Sequence, residues 1–419
     1  MTESARDGGT SRRLDSLLEV AKALAIQVDL DPLLAVILDK AALVMDAERS
    51  TLFLYDAREG VLRNHIAGEL ARHSVVVPVG VGIGGHVAQT LEPLNVQDAY
   101  ADPRFNPKFD LETGFRTRNI LCAALLSHDG RLVGVIQLLN KRNAAAFSAD
   151  DETLLRAFAS IAGVAIDRTH LVARALESQR IEESLRLAHD IQMDMLTRRF
   201  PSGPVSVHAA LEPARDVGGD FYDVVEDDHS VWFTVGDVSG KGVGAALFMA
   251  TTLTLFRAAT ETASEPAEVL ARMNRALSRD NDRAMFVTVF AGRIEKSSGR
   301  VMYANGGHNP PYIRRAGGGL EALANAPSPA LGVFEEAPYS NLSLDLGAGD
   351  TLVLYTDGVT EAQATDGSFY GTERLEAVLR ESGAEEPSAC VRRVVTSVAM
   401  FVAGAPPADD LTVLALRRA

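Results

Sequence analysis

Two aspartates within Glu212–Met249 are the most informative feature of this sequence. Asp220 and Asp237 each follow a glycine, and a short β-type run, Val231–Val235, lies between them. Three further glycines follow Asp237 before a helical run begins near Ala245. Carboxylates at strand ends beside flexible backbone are typical of oxygen-rich cation sites. Each Gly-Asp pair alone is typical of a turn, so the case for a cation site depends on acids elsewhere.

Carboxylates recur at the ends of two later apolar strands. Thr351–Tyr355 is followed closely by Asp357, and Asp409 and Asp410 precede the apolar run Leu411–Leu416. Acids gathered without cysteine and with few histidines are hard oxygen ligands, which suit Mg²⁺ or Mn²⁺ rather than Zn²⁺. A pair of such ions can activate a water for attack on phosphorus. The residues therefore predict a divalent-metal site for phosphoryl chemistry.

Six segments of the C-terminal half carry a family resemblance through their order. They are VGGDFYD from Val217, GDVSGKGVGAALFM from Gly236, MFVTVFAG from Met285, YANGGHNPP from Tyr303, LVLYTDGVTEA from Leu352 and DDLTVL from Asp409. Over about residues 205–417 the chain resembles the metal-dependent (PPM) serine/threonine protein phosphatases of the SpoIIE-like bacterial branch. The resemblance implies a β-sandwich flanked by helices, two Mn²⁺ or Mg²⁺ ions and a phosphoprotein substrate.

The resemblance also implies roles for individual residues. Asp220 and Asp237 would be the catalytic acids that bind or bridge the two ions. Val238 would offer its backbone carbonyl, and Asp357 and Asp409 would bind one ion from the other side.

Three positions leave alternatives open. Asp410 replaces Asp409 if the register differs by one residue. His308 is either a general acid for the leaving oxygen or part of a structured loop, and its Asn-Gly-Gly-His-Asn-Pro context favours the loop. Arg215 either contacts phosphate or faces solvent.

The N-terminal half predicts a small α+β sheet domain, from its order of helix, strands, long loop, hairpin and helix. Leu121–Leu126 and Leu132–Leu139 read as strands joined at Asp129-Gly130, and a glycine-rich break precedes a short helix, His86–Thr90. Four segments carry a second resemblance: GIGGHVAQT from Gly82, NVQDAYADPRFN from Asn95, TGFRTRNILC from Thr113 and GVIQLLNKR from Gly134. Residues 30–170 resemble GAF domains of cyclic-nucleotide phosphodiesterases and adenylate cyclases.

This GAF resemblance implies cAMP or cGMP as a regulatory ligand, with a ligand-free scaffold as the alternative. It implies a pocket lined by five residues: Ile83, Gly84, Thr113, Thr117 and Gln137. It also implies a signature that holds a lid without touching the nucleotide: Asn140-Lys141, Phe147 and Asp151-Glu152. A Lys141–Asp151 ion pair would pin that loop; alternatively these residues only cap the next helix, with Asp150 as its N-cap.

A long polar helix without glycine or proline is predicted over Ala165–Arg199. Its residues Ile181, Leu185, Ala188, Gln192 and Met195 step by four and three, as in a short heptad seam. A coiled coil would give a homodimer through the GAF domain and the linker helix, but a surface helix produces a similar stripe. The expected organisation is a disordered tail at 1–13, a GAF sensor domain at 14–170, a linker helix at 171–200 and a phosphatase domain at 201–419.

Bulk properties restrict the partners. A formal net charge of −15 argues against a nucleic-acid backbone binder. The N-terminus lacks an apolar segment after its charges, no apolar run approaches the length of a membrane span, and the two cysteines lie far apart in apolar contexts. We therefore expect a cytoplasmic protein with reduced cysteines and no membrane partner.

The expected function is a signal-regulated phosphoserine/phosphothreonine phosphatase, by family analogy acting on an anti-sigma-factor antagonist. One alternative is a catalytically degenerate, ligand-gated interaction module, which the intact set of acids disfavours. Another is a cyclic-nucleotide phosphodiesterase, which would need a His/Asp metal cluster, whereas the nine histidines here are scattered.

Overall fold

The computed structural model describes residues 17–27, 29–65, 75–279, 281–324, 326, 328–382 and 385–419. The chain divides into two compact units between Arg180 and Ile181. The expected tail at 1–13 lies outside the described residues.

The first unit is built on one antiparallel sheet. After a helical segment at 17–26, its elements are α1 (Leu30–Val44), β1 (Ala47–Asp56), β2 (Val61–His65), β3 (Val76–Pro78), α2 (Gly82–Thr90), β4 (Leu94–Val96), a 3₁₀ turn (Ala99–Ala101), α3 (Lys108–Thr113), β5 (Ile120–Leu126), β6 (Leu132–Lys141) and the start of α4 (Ala149–Met195). The six strands lie in the order β3-β2-β1-β6-β5-β4. The predicted hairpin is the β5–β6 pair, and the predicted GAF-type antiparallel sheet with helices is confirmed.

An apolar core lies on each face of this sheet. Because side chains alternate along each strand, successive residues enter opposite cores. Leu121, Ala123 and Leu125 of β5 pack into a core beneath α1 and the start of α4. Ile120 and Cys122 face the opposite core, which includes residues of α2. The alternation explains why β5 reads as an unbroken apolar run.

Helix α2 begins earlier than the expected His86, at Gly82. Gly82, Gly84 and Gly85 belong to the helix. Gly85 must be a glycine because an added Cβ would overlap the carbonyl oxygen of Pro78. The prediction of Asp150 as the next helix's N-cap was wrong. Ser148 precedes α4, the Asp151 amide donates to its hydroxyl, and its own amide donates to the Asp151 carboxylate, as in a capping box.

Helix α4 continues without a break for 47 residues. It joins the helix expected after Asp150 to the long polar helix expected from Ala165. Gln192, which the heptad pattern places on a seam, is only 5% exposed and contacts Gly218 of the same second unit instead.

The second unit is a β-sandwich flanked by helices, as predicted. Its elements are β7 (Val205–Glu212), β8 (Phe221–Glu226), β9 (Ser230–Val238), α5 (Val243–Thr260), α6 (Pro266–Ser278), β10 (Val287–Glu295), β11 (Arg300–Gly306), β12 (Tyr312–Arg314), β13 (Leu320–Ala322), β14 (Leu342–Asp345), β15 (Thr351–Tyr355), α7 (Asp357–Thr360), α8 (Gly371–Glu381), α9 (Pro387–Val402) and β16 (Leu411–Arg418). One five-stranded sheet has the order β14-β11-β10-β9-β8, and the other has the order β13-β12-β15-β16-β7.

The strand β15 is buried on both faces. Leu352 and Leu354 point into the core between the sheets, and Val353 and Tyr355 pack with residues of α8 and α9. This double burial anchors the strand end from which Asp357 follows.

Helix α5 corrects one expectation. Its 18 residues, Val243–Thr260, have a mean hydropathy of 1.4 and are long and apolar enough to cross a membrane, although no such run was expected. Its inner face, including Met249, Leu253 and Phe256, is fully buried in the sandwich core. This is how the core helix of a globular domain packs.

Candidate active site

Two of the predicted acids are brought together by the first sheet of the sandwich. Asp220 directly precedes β8, and Asp237 is the penultimate residue of β9. The two strands pair antiparallel with Phe221 opposite Gly236, so both aspartates lie at the same end of this strand pair. Their positions follow from the register of one hairpin.

The second sheet brings its acids to the same region. Asp357 begins α7 one residue after the end of β15, with Thr356 between them, and the Asp409-Asp410 pair directly precedes β16. The two strands pair antiparallel, and the Thr356 amide donates to the Thr412 carbonyl at 3.1 Å. Each sheet therefore presents acids at one pair of strand ends.

Asp220 links the two sheets. Its side chain is buried, at 2% exposure. The hydroxyls of Thr356 and Thr412, both on the other sheet, donate to its Oδ2 at 2.7 Å each. These hydrogen bonds fix the carboxylate where the sheets meet.

The acids lie close enough to perturb one another. Burial raises the pKa of Asp220 well above its usual range, and the charge of Asp237 adds to this effect. Burial, followed by the charges of Asp357 and Asp409, raises the pKa of Asp237 to about 7. Burial, Glu361 and Asp409 likewise raise the pKa of Asp357. Perturbed carboxylates of this kind are typical of functional sites.

This donor set fits divalent cations. Buried carboxylates that raise one another's pKa are unfavourable together as anions, and a bound cation offsets that repulsion. The donors are oxygen atoms, as Mg²⁺ and Mn²⁺ prefer. The Val238 carbonyl oxygen lies over Gly219, where an added Cβ would come within 2.9 Å of it. The absence of a side chain at Gly219 thus lets this oxygen lie close to the residue before Asp220.

The geometry distinguishes the two neighbouring acids that the sequence left open. Asp410 accepts from the Ala214 amide at 2.8 Å and the Gly219 amide at 2.7 Å, and it is 8% exposed. The Asp409 side chain is 40% exposed and accepts from Lys241 Nζ at 2.8 Å. Asp410 is therefore committed to holding a loop, which favours Asp409 as the ligand.

His308 lies in a structured loop. Its amide donates to the Asn305 side chain, whose own amide donates back to the His308 carbonyl. Burial lowers the pKa of His308 to about 4, so the ring is neutral near pH 7 and is a poor general acid. Arg215 is exposed.

Several residues of the site escaped sequence reasoning. Thr356 and Thr412 orient Asp220, Lys241 pairs with Asp409, and Glu361 adds charge beside Asp357. A hydroxyl inside an apolar strand was the available signal for Thr412, since a buried polar group needs a partner.

Of the five residues expected to line a nucleotide pocket, the structure places Gly84 beside Gln137 and Thr117 beside Asp110. Ile83 is 5% exposed within an apolar core. Gly84 lies against the Gln137 amide, 3.0 Å from where a Cβ would be. Thr117 is buried, and its amide and hydroxyl donate to Asp110 at 2.7 Å each. The side chain of Thr113 lies outside the described part of the chain.

The GAF signature residues Asn140, Lys141 and Asp151 join segments that lie apart in the sequence. Asn140 accepts from the Arg118 amide at 2.6 Å and donates to Glu48 at 2.8 Å. The predicted Lys141–Asp151 ion pair is confirmed at 3.0 Å, with both side chains largely buried. These contacts fasten the segment after α3 to the start of α4.

Comparison with known proteins supports the predicted domain type of each half of the chain. Residues 227–419 match the family Stage II sporulation protein E (SpoIIE), and residues 29–166 match the GAF domain family. Phosphoserine phosphatase RsbU of Bacillus subtilis (strain 168) is 28% identical over 250 residues, which cover 59% of this chain and 74% of RsbU. The cGMP-specific 3',5'-cyclic phosphodiesterase of Drosophila virilis is 30% identical over 183 residues, 40% of this chain but 20% of that protein. The SiaA-PP2C domain of Pseudomonas aeruginosa shares the fold, with a TM-score of 0.52 at 23% identity, covering 58% of this chain and 99% of that structure.

The matches, the fold and the acid site together define a class. The chain contains a SpoIIE-type phosphatase domain and an N-terminal GAF domain. The chain is homologous to RsbU and, through its second unit, to the metal-dependent protein phosphatases. Divalent ions are implied by that homology.

Proposed function

We propose that this protein removes phosphate from phosphoserine or phosphothreonine on an anti-sigma-factor antagonist, under control of a small ligand at the GAF domain. The observation that carries the proposal is the convergence of Asp220, Asp237, Asp357 and Asp409 where the two sheets meet. The likeness to a phosphoserine phosphatase supports the phosphoprotein class of substrate.

Each part of the site has a defined task in this proposal. Asp220, Asp237, Asp357, Asp409 and the Val238 carbonyl would hold two Mn²⁺ or Mg²⁺ ions. When bound, such ions lower the pKa of a water and offset charge on phosphoryl oxygens. Thr356 and Thr412 keep one Asp220 oxygen fixed, so the acids need little reorganisation when the substrate arrives.

The proposed regulatory ligand is cAMP or cGMP, bound among Ile83, Gly84, Thr113, Thr117 and Gln137. The support is the match to a cGMP-specific phosphodiesterase and the intact loop-fastening contacts of Asn140 and Lys141. We place the protein in the cytoplasm as a homodimer through the GAF domain and the linker helix.

A phosphopeptide assay tests the catalytic part. Phosphate release should vanish in chelator and return with Mn²⁺ or Mg²⁺, because the donor set consists of oxygen atoms. Asp237→Asn should lower the rate by about a hundredfold or more, whereas Asp228→Asn, on the exposed β8–β9 loop, should match wild type. Full activity in chelator would refute the metal mechanism. Inactivity of the folded wild type with every metal would favour the degenerate interaction module, and hydrolysis of cAMP or cGMP instead would favour the phosphodiesterase.

A further inference from the structure

The last turns of α4 run beside the segment that carries Asp220. His189 Nδ1 hydrogen-bonds with the Asp216 carbonyl at 2.7 Å. Further along, the Thr197 hydroxyl contacts the Asp223 carboxylate and the Val224 backbone. The last turns of α4 and the residues just after the helix are thus fastened to chain on both sides of Asp220.

Gln192 forms the central contact between α4 and the segment that precedes Asp220. Its Nε2 donates to the Gly218 carbonyl at 2.7 Å, and its Oε1 accepts from the Gly218 amide at 3.1 Å. One side-chain amide thereby pairs with both polar groups of a single residue. Gln192 is 5% exposed, so both hydrogen bonds are shielded from water and costly to lose.

The same loop is held from its other side by Asp410. Its carboxylate accepts from the Ala214 and Gly219 amides, and a Cβ at Gly218 would overlap that carboxylate. The peptide at Gly218 is therefore enclosed between Gln192 and Asp410, two residues before Asp220. Little freedom remains for the backbone that presents Asp220.

We propose that Gln192 is a positioning residue for the metal site: its amide sets the Gly218 backbone, and through it the placement of Asp220 toward a cation. The inference rests on the proposed function, because it takes Asp220 as a metal ligand. It makes the seating of the α4 C-terminus a condition for metal binding. Gln192 itself touches neither substrate nor metal.

The test measures Mn²⁺ binding to the full chain by calorimetry, without substrate, for Gln192→Ala and the similarly sized Gln192→Met. Both should raise the Mn²⁺ Kd about tenfold, the effect of losing hydrogen bonds of ordinary strength. Hydrogen exchange should speed up at the amides of residues 214–220. KM for phosphopeptide should stay unchanged at saturating Mn²⁺, and Gln192→Glu, which keeps only the acceptor, should not restore the Kd.

The control is Leu187→Ala, an exposed, uncharged change on the same helix. If Gln192→Ala does not fold, Gln192→Met carries the test. Folded variants with wild-type Mn²⁺ Kd and wild-type exchange at residues 214–220 would overturn the inference. A wild type that binds no Mn²⁺ would instead overturn the proposed metal site, so the two failures can be told apart.

Discussion

At the scale of single residues, Asp220 shows how the site is made rigid. Two hydroxyls donate to its Oδ2, and neither donates to its Oδ1. One oxygen is thus fixed by the protein, and in the proposed function the other would face a cation beside Asp237. Since Asp220 is buried and its pKa is raised, the arrangement is stabilised when a positive charge arrives.

His308 gives a pH prediction at this scale. Its pKa is about 4 in the folded chain, against 6.5 as its ordinary value. Between these two pH values the unfolded state binds a proton that the folded state does not, so stability falls as the pH falls. The loss in the free energy of unfolding caused by His308 reaches about 3 kcal/mol below pH 4.

Urea unfolding followed by the fluorescence of Trp232, the single tryptophan, measures this effect in the phosphatase unit. We expect His308→Gln to lose less stability than wild type between pH 7 and pH 5. The exposed His229→Gln should behave like wild type. Equal pH dependence in wild type and His308→Gln would contradict the assignment.

At the scale of elements, the site depends on a close approach between α7 and β16. A Cβ at Gly358, the second residue of α7, would overlap the Asp410 carbonyl oxygen. Only glycine allows α7 to lie so near the start of β16. This contact places Asp357 beside Asp409.

Gly358→Ala is therefore expected to push α7 away from β16. Mn²⁺ affinity should fall at least about tenfold, and the phosphatase unit should lose about 1–3 kcal/mol of stability, as for other overpacked sites. Calorimetry and Trp232 fluorescence measure the two effects. Gly317→Ala, at a position with open space around it, is the control. Wild-type Mn²⁺ affinity in Gly358→Ala would show that the close approach does not set the site.

At the scale of the whole molecule, a GAF domain and a SpoIIE-type phosphatase domain share one chain. A ligand of the first can change the rate of the second only if it binds the active and inactive states with different affinity. We expect cAMP or cGMP to bind the full chain and to change its rate on phosphopeptide.

Calorimetry with each nucleotide tests this expectation. Thr117→Ala should weaken binding by about 1 kcal/mol or more, because the Thr117 hydroxyl fastens Asp110 beside the proposed pocket. The exposed Thr153→Ala is the control. Absence of heat with either nucleotide at millimolar concentration would leave the ligand-free scaffold as the better interpretation.

The two domain types, the antiparallel GAF sheet, the β-sandwich and the strand ends that carry the aspartates could all be predicted from the amino-acid sequence. These features are local: alternation and apolar runs report strand burial, and Gly-Asp segments report strand ends. The Lys141–Asp151 pair was also predictable, because its partners are only ten positions apart in the sequence and are joined by one loop.

The different contacts of Asp409 and Asp410 appear only in the folded chain, where Asp410 accepts from the amides of Ala214 and Gly219 and Asp409 pairs with Lys241. The tertiary structure also showed that Thr356 and Thr412 hold Asp220, and that Gln192 packs on Gly218 rather than on a heptad seam. These contacts join residues that are 26 to 192 positions apart in the sequence. The sequence pattern of one element does not indicate which residue of another element it will contact. A buried polar side chain must find a hydrogen-bond partner, but which partner it finds depends on how the sheets and helices pack.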